Sequence, residues 1–223
     1  LMLPATLFFA LQLKETLTIK GDESTWTVKS VTKIVSDPRT LMVLMAGLIL
    51  SYVFTGAILT CLPLVLKQNF EATSSTIGIL LAVSSLASAL TATRVGAFVK
   101  HSSRKFLLVG CFTAYGLVLA FIPYIQYLSF FILPLVLIGI IHGVTIPITT
   151  ELIASFPPTH LRGSVTSFYS TMVRTGQTLG PASLGLLLYF LGGEFTFIFA
   201  GIISLAFALS LASLLKIKGQ VPT

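Results

Sequence analysis

The sequence predicts an all-α integral membrane protein with six transmembrane helices, and three observations carry that prediction. Only 9% of the 223 residues are charged and 55% are hydrophobic, whereas a soluble domain carries about 25% charged residues. Mean hydropathy is +0.97. The apolar residues gather into runs long enough to cross a hydrocarbon layer about 30 Å thick, which takes roughly 20 helical residues. The same composition excludes an ordinary soluble enzyme. Asn69 is the sole Asn, the histidines His101, His142 and His160 are scattered, and there is no GxxxxGK[ST] string. That leaves little material for a hydrolytic dyad, a metal cluster or a nucleotide cradle, so no metal and no cofactor are expected. Cys61 and Cys111 lie in different runs, form no CxxC, and read as small buried hydrophobes.

Taken in order, the chain opens with an apolar run, Leu1 to Leu13, which reaches only about 20 Å as a helix. It has no basic n-region and no small-residue cleavage site, so residues 1–13 read as the tail of a preceding transmembrane helix in a longer protein. Residues 14–40 are a polar, charged stretch that reads as a cytoplasmic linker. The linker ends in Ser36-Asp37-Pro38-Arg39, where Ser36 or Asp37 can cap a helix beginning near Pro38. Residues 41–223 then hold six full runs: Leu41 to Leu66, Ser75 to Val99, Phe106 to Pro123, Ser129 to Phe156, Ser164 to Leu191 and Phe195 to Leu215.

The positive charges orient these runs, because cytoplasmic loops carry the excess of Lys and Arg. With the linker cytoplasmic, that side holds Lys14, Lys20, Lys29, Lys33, Arg39, Lys100, Arg104, Lys105, Arg162, Lys216 and Lys218, and the other side holds only Lys67. The C-terminus is therefore expected in the cytoplasm. The net charge of +7 is explained by topology rather than by nucleic acid, which needs a basic patch on a soluble face. Arg94 and Arg174 fall inside apolar runs.

Polar residues inside a span point to a bundle interior or a water-filled path. In the fifth run Ser167, Ser170, Thr171, Arg174, Gln177, Thr178 and Pro181 recur at three- and four-residue steps and so share one helical face. The second run has Ser84, Ser88, Thr91 and Arg94, the fourth His142, Thr145 and Thr149, and the first Ser51 and Thr55. The third and sixth have no comparable stripe. Arg174 lies about 15 Å deep, where an Arg costs at least roughly 2.5 kcal/mol. It either contacts substrate, a coupling ion or a cavity, or it pairs with a neighbouring carbonyl or carboxylate. His142 is near mid-depth, and an imidazole with its ordinary pKa of about 6.5 can carry a proton, so it is either a proton carrier or a hydrogen-bonded packing residue. Glu151, near the cytoplasmic end of the fourth run, is expected to pair with Arg94 or Arg162 and close the inner side of the path.

Three motifs resemble the C-terminal half of a major facilitator superfamily transporter, and the resemblance covers nearly the whole chain. The loop from Gly96 to Lys105 is similar to the family's GxxxDRxGRK loop. Gly96, Arg104 and Lys105 match it, whereas Lys100 replaces Asp, His101 replaces Arg and Ser103 replaces Gly. Glu151, Pro157, Pro158 and the pair Arg162-Gly163 resemble the Pro-rich RG turn between the tenth and eleventh helices. The segment from Gly176 to Gly185, containing Gly180 and Pro181, resembles the GxxxGP pattern of antiporters. In it, small residues permit close helix approach and Pro181 permits bending.

The resemblance implies two inverted three-helix repeats with a midplane site, lined by the first, second, fourth and fifth helices. Those same four helices carry the polar stripes. The expected function is secondary active transport of small solutes by alternating access, as a proton-coupled efflux antiporter or permease for drug- or sugar-like molecules. The expected partners are a small-molecule solute, H+ as coupling ion, the lipid bilayer and a missing N-terminal six-helix half. The expected path residues are Arg174, Gln177, His142, Ser88, Thr91, Thr145 and Ser170. Gly96, Arg104, Lys105, Glu151, Arg94, Arg162 and Gly163 would form the cytoplasmic gate, and Gly176, Gly180, Pro181 and Gly185 the bending element. The alternative is a non-transporting sensor or assembly partner on the same scaffold.

Overall fold

The computed structural model describes residues 34–96, 99 and 103–214, and among these it is helical with no strand. The expected helix tail (1–13), nearly all of the linker (14–40), and Lys100 and His101 lie outside the described residues.

Helix α1 (Pro38–Phe70) begins where the sequence places it. Asp37 is the cap, accepting from the Thr40 N–H at 3.4 Å, and Pro38 takes the first turn, where its missing N–H costs nothing. Midway, Phe54–Cys61 winds as a π-helix, and the Thr60 hydroxyl donates to the Thr55 carbonyl five residues back at 2.8 Å. The helix ends at Glu71, in the left-handed conformation with φ 50°.

Helix α2 (Ser74–Ala92) is capped by Thr73. It is interrupted by a turn at Thr93–Arg94, where the Thr93 hydroxyl donates to the Leu90 carbonyl at 2.8 Å and the Arg94 N–H closes on the Thr91 carbonyl at 3.0 Å, while Val95, Gly96 and Val99 beyond the turn are helical again. Arg94 is therefore exposed in that turn and not inside a span as the sequence implies. Helix α3 (Arg104–Phe121), capped by Ser103, is prolonged by a 3₁₀ turn at Ile122–Tyr124. A second 3₁₀ turn, Leu128–Phe131, leads into α4 (Ile132–Ser155).

The last 53 of the described residues, Arg162–Leu214, are hydrogen-bonded as one helix that breaks at Gly192, where φ is 82° and ψ is 174°. Only glycine adopts that backbone readily. A straight helix of this length would run about 80 Å, more than twice a hydrocarbon core. The break folds it into two spans, α5 (162–191) and α6 (193–214). Six apolar runs thus appear as five continuous helices, the fifth folded back on itself.

The ends of the bundle are set by contacts. Arg104 at the start of α3, Glu151 near the end of α4 and Ala212 near the end of α6 meet at one end, called the near end below. Phe70, Tyr124 and Gly192 mark the far end. Helix α1 lies against α5, α2 against α4, and α3 against both α4 and α6. One apolar core joins them, with Leu44, Ile58, Phe112, Ile138 and Phe197 almost wholly buried.

Candidate functional site

The fifth helix shows how the bundle sorts its polar residues. Val165, Tyr169, Gly176, Gly180 and Leu184 form its buried side. Ser167, Ser170, Thr171, Arg174, Gln177 and Thr178 are all exposed, with Phe168 and Leu179 bordering them. The stripe read from the sequence is therefore a face that these six helices leave uncovered. Its hydroxyls are satisfied locally: Ser170 donates to the Thr166 carbonyl at 3.0 Å, Thr171 to Ser167 at 3.0 Å and Thr178 to Arg174 at 3.0 Å. Arg174 and Gln177 are the longest polar side chains on it. Pro181 has no N–H for the Gln177 carbonyl, which adds an acceptor to the same side of the helix.

The other expected path residues are not on that face. In α2, Ser88 and Thr91 are half-buried against α4: a Cβ at Gly143 would meet the Ser88 carbonyl and, at 2.9 Å, the Thr91 Cβ. Ser84 stands one turn away against Gly139. This is a seam of small residues that lets two helices approach closely. Thr145 and Thr149 are fully buried in α4 and donate to the carbonyls of Ile141 and Thr145 at 2.7 and 2.9 Å. His142 is half-buried. Its ring stacks on Phe54, with centroids 4.0 Å apart, and its Nε2 is buried with no hydrogen-bond partner among the described residues. A buried polar atom without a partner costs free energy. Phe54 is the first residue of the π-helical segment, a distortion often found at functional sites.

At the near end, Glu151 pairs with Arg104 at 2.6 Å, not with Arg94 or Arg162. Arg94 and Arg162 are exposed and neither is paired with it. The reason is positional: Arg104 is the first residue of α3 and meets the last turns of α4, whereas Arg94 lies in the turn that interrupts α2. Lys105 donates to the Ala212 carbonyl at 2.6 Å, placing a cation at the C-terminal end of α6, where the helix dipole favours one. The matched Arg104-Lys105 pair thus ties α3 to both α4 and α6. Gly96 and Gly163 are exposed, with open space where a Cβ would go.

The bending element also differs from expectation. Residues 162–191 stay helical through Gly176, Gly180, Pro181 and Gly185, and the break comes at Gly192 instead. Gly176 and Gly180 have another use. A Cβ on Gly176 would run into the Leu48 carbonyl, and one on Gly180 into the Tyr52 carbonyl, with Gly56 facing Gly180 from the π-segment. Gly185 meets nothing within 4 Å.

Sequence reasoning missed four side chains around this site. Tyr52 and Ser183 share a 2.7 Å hydrogen bond between α1 and α5. The Tyr169 ring fills the space over Gly47, and its hydroxyl meets that of Thr149 at 2.9 Å. Phe54 is the partner of His142. All but Ser183 are aromatic and sit in apolar runs, so no local polarity singled them out. Among the described residues, no group of three His, Cys, Asp or Glu could hold a metal ion.

A family model described as Major Facilitator Superfamily matches residues 44–222. A search of curated proteins gave no match.

Proposed function

The chain belongs to the major facilitator superfamily, and on that premise we propose that it is the C-terminal six-helix half of a secondary active transporter that exports small solutes by alternating access, driven by protons. Membership makes it a membrane transporter in general terms and a multi-pass integral membrane protein, with small solutes and the bilayer as partners. Proton coupling, the outward direction and a companion N-terminal half are our reading. One observation carries it: α5 turns an Arg-bearing polar face away from its own bundle. An intramembrane Arg is expensive unless it faces water, a partner or a solute, so that face requires a second half or an aqueous path beside it.

In this reading Arg174 and Gln177 hold the solute, Ser170 extends the polar wall toward the near end, and His142 behind Phe54 carries the proton. Ser88, Thr91 and Thr145 hold α2 and α4 in place and touch no solute. The near-end links of Arg104 and Lys105 close the cytoplasmic side, and the C-terminus is cytoplasmic. The test is solute flux in vesicles containing the complete protein. Arg174→Ala should abolish flux with insertion and stability unchanged, and undiminished flux would overturn the assignment. His142→Gln should lose flux driven by a pH gradient while keeping solute exchange; gradient-driven flux equal to the parent would remove the proton from the mechanism.

A further inference from the structure

Away from the polar face, at the far end, the α3–α4 hairpin encloses a groove of about 800 Å³. One wall is Leu117, Val118 and Phe121 of α3 with Tyr124 of the 3₁₀ turn that prolongs it, and the other is Phe130 of the second 3₁₀ turn with Leu133, Pro134 and Leu137 at the start of α4. Each set follows helical spacing, so each is a single face. At the hairpin end the two helices are joined through 3₁₀ turns, Ile122–Tyr124 and Leu128–Phe131. Of the lining residues, Ile125 and Pro134 are buried.

The geometry points to a binding site for one acyl chain of a phospholipid with a net-neutral headgroup, in the leaflet at the far end. Two arguments select that occupant over a solute. The groove is ordered along the membrane normal as a lipid is. Its polar lining groups, Gln126 and the hydroxyls of Tyr124 and Tyr127, are confined to the hairpin end, and everything deeper is apolar. Exposed tyrosines mark the headgroup level of a span, and Tyr124 and Tyr127 are 62% and 66% exposed. From Tyr124 down to Leu117 is about 10 Å of helix, which lies within one leaflet of a hydrocarbon core about 30 Å thick. The second argument is charge. No Lys, Arg, Asp or Glu lines the groove, so nothing in it selects an anionic headgroup, and a solute path without a single charged or amide group below its mouth would be a poor match for the Arg174 face.

The test uses the complete protein in phosphatidylcholine vesicles doped with a phosphatidylcholine carrying a photoreactive diazirine in its tail, with adducts mapped after irradiation. Adducts should concentrate on residues 117–137 and exceed those on the equally bare outer face of α6 at Ile202 and Leu209. Excess unlabelled phosphatidylcholine should suppress them. Leu133→Trp and Leu117→Trp, at positions 64% and 58% exposed, should fill the groove and lower its labelling several-fold while α6 labelling stays constant. Size-exclusion profiles check that each variant folds, and the competition measurement on the parent protein stands without them. Equal labelling of the hairpin and α6 would overturn the site. Preferential labelling by an anionic phosphatidylglycerol probe would overturn the headgroup assignment. Protection of the hairpin within a cross-linked dimer would overturn the lipid in favour of a second copy of the chain.

Discussion

The two sides of α5 are built from different residue types and do opposite things. Toward α1, Gly176 and Gly180 remove side chains so that two backbones touch, with Leu48, Tyr52 and Gly56 opposite them. On the other side, Arg174 and Gln177 push side chains out where no helix of this bundle covers them. Within the bundle, association relies on close approach, because lipid tails are as apolar as the side chains and supply no hydrophobic drive between helices. The open side cannot be stabilised in that way. It is left for water, solute or another set of helices, and so stability and transport should separate cleanly between the two faces.

The largest effect is expected from filling the glycine side. Gly180→Leu must push α5 off the Tyr52 carbonyl, and overpacking of a tight site costs about 1–3 kcal/mol or more. The thermal midpoint of the purified protein should fall sharply, or folded protein should not be recovered. Gly185→Ala is the control on the same helix. Nothing lies within 4 Å of its Cβ position, and replacing a mid-helix Gly by Ala gains up to about 1 kcal/mol of helix propensity. If the two variants behaved alike, close approach at Gly180 would not be what holds α1 and α5 together. On the polar side, Gln177→Ala should leave the midpoint within about 0.5 kcal/mol of the parent, as surface substitutions do, and lower solute flux. A fall in stability with unchanged flux would reverse the division of labour.

This contrast shows what was legible in the sequence. The apolar character of the helices, a cap at Ser36 or Asp37 before Pro38 and the polar face of α5 are local or periodic, and the structure has apolar helices, an Asp37 cap and that face, although α2 is interrupted short of the expected Val99. Neighbours are not local. The spacing of Ser84, Ser88 and Thr91 fits a water-lined wall and a small-residue seam equally well, because Ser and Thr are both polar and small. What decides between them is Gly139 and Gly143, four residues apart on the opposing helix, a spacing that could have been weighed. The partner of Glu151 depended on where α2 is interrupted. With Arg94 exposed in the turn at Thr93–Arg94, Arg104, 47 positions from Glu151, is the cation in reach. The π-segment in α1 carries no signal beyond Thr55 and Thr60 standing five apart.

A smaller effect on stability, with a larger one on conformation, is expected at the near end. The Arg104–Glu151 side chains are 33% and 52% exposed, and exposed pairs contribute only about 0–1 kcal/mol. Glu151→Gln should therefore barely move the midpoint. It should still favour the state open at the near end, because the pair joins the start of α3 to the end of α4. A cysteine placed at Ser155, beside that junction, should then react faster with a polar thiol reagent. Exchanging the charges, Arg104→Glu with Glu151→Arg, should restore the slower rate. An unaltered rate in Glu151→Gln would mean that the ion pair takes no part in closure.

The smallest effect should come from the hydroxyl pair of Thr149 and Tyr169, 2.9 Å apart in the core between α4 and α5. Thr149→Val keeps the shape and deletes the hydroxyl, and Tyr169→Phe deletes its partner. Interhelical hydrogen bonds in membranes average only about 0.6 kcal/mol in double-mutant cycles, since a freed group finds other partners in the bilayer-inserted state. Here the alternative is visible. The Thr149 hydroxyl also lies 2.9 and 3.0 Å from the carbonyls of Thr145 and Ile146, so losing Tyr169 leaves it satisfied, whereas losing Thr149 leaves the Tyr169 hydroxyl only Thr150 beside it. Thr149→Val should cost more than Tyr169→Phe, and the double variant no more than Thr149→Val alone. The Tyr169 ring over Gly47 remains in every case and keeps α1 and α5 together. A Tyr169→Phe loss as large as that of Gly180→Leu would mean that the hydroxyl, and not the ring and the glycines, fixes this side of α5.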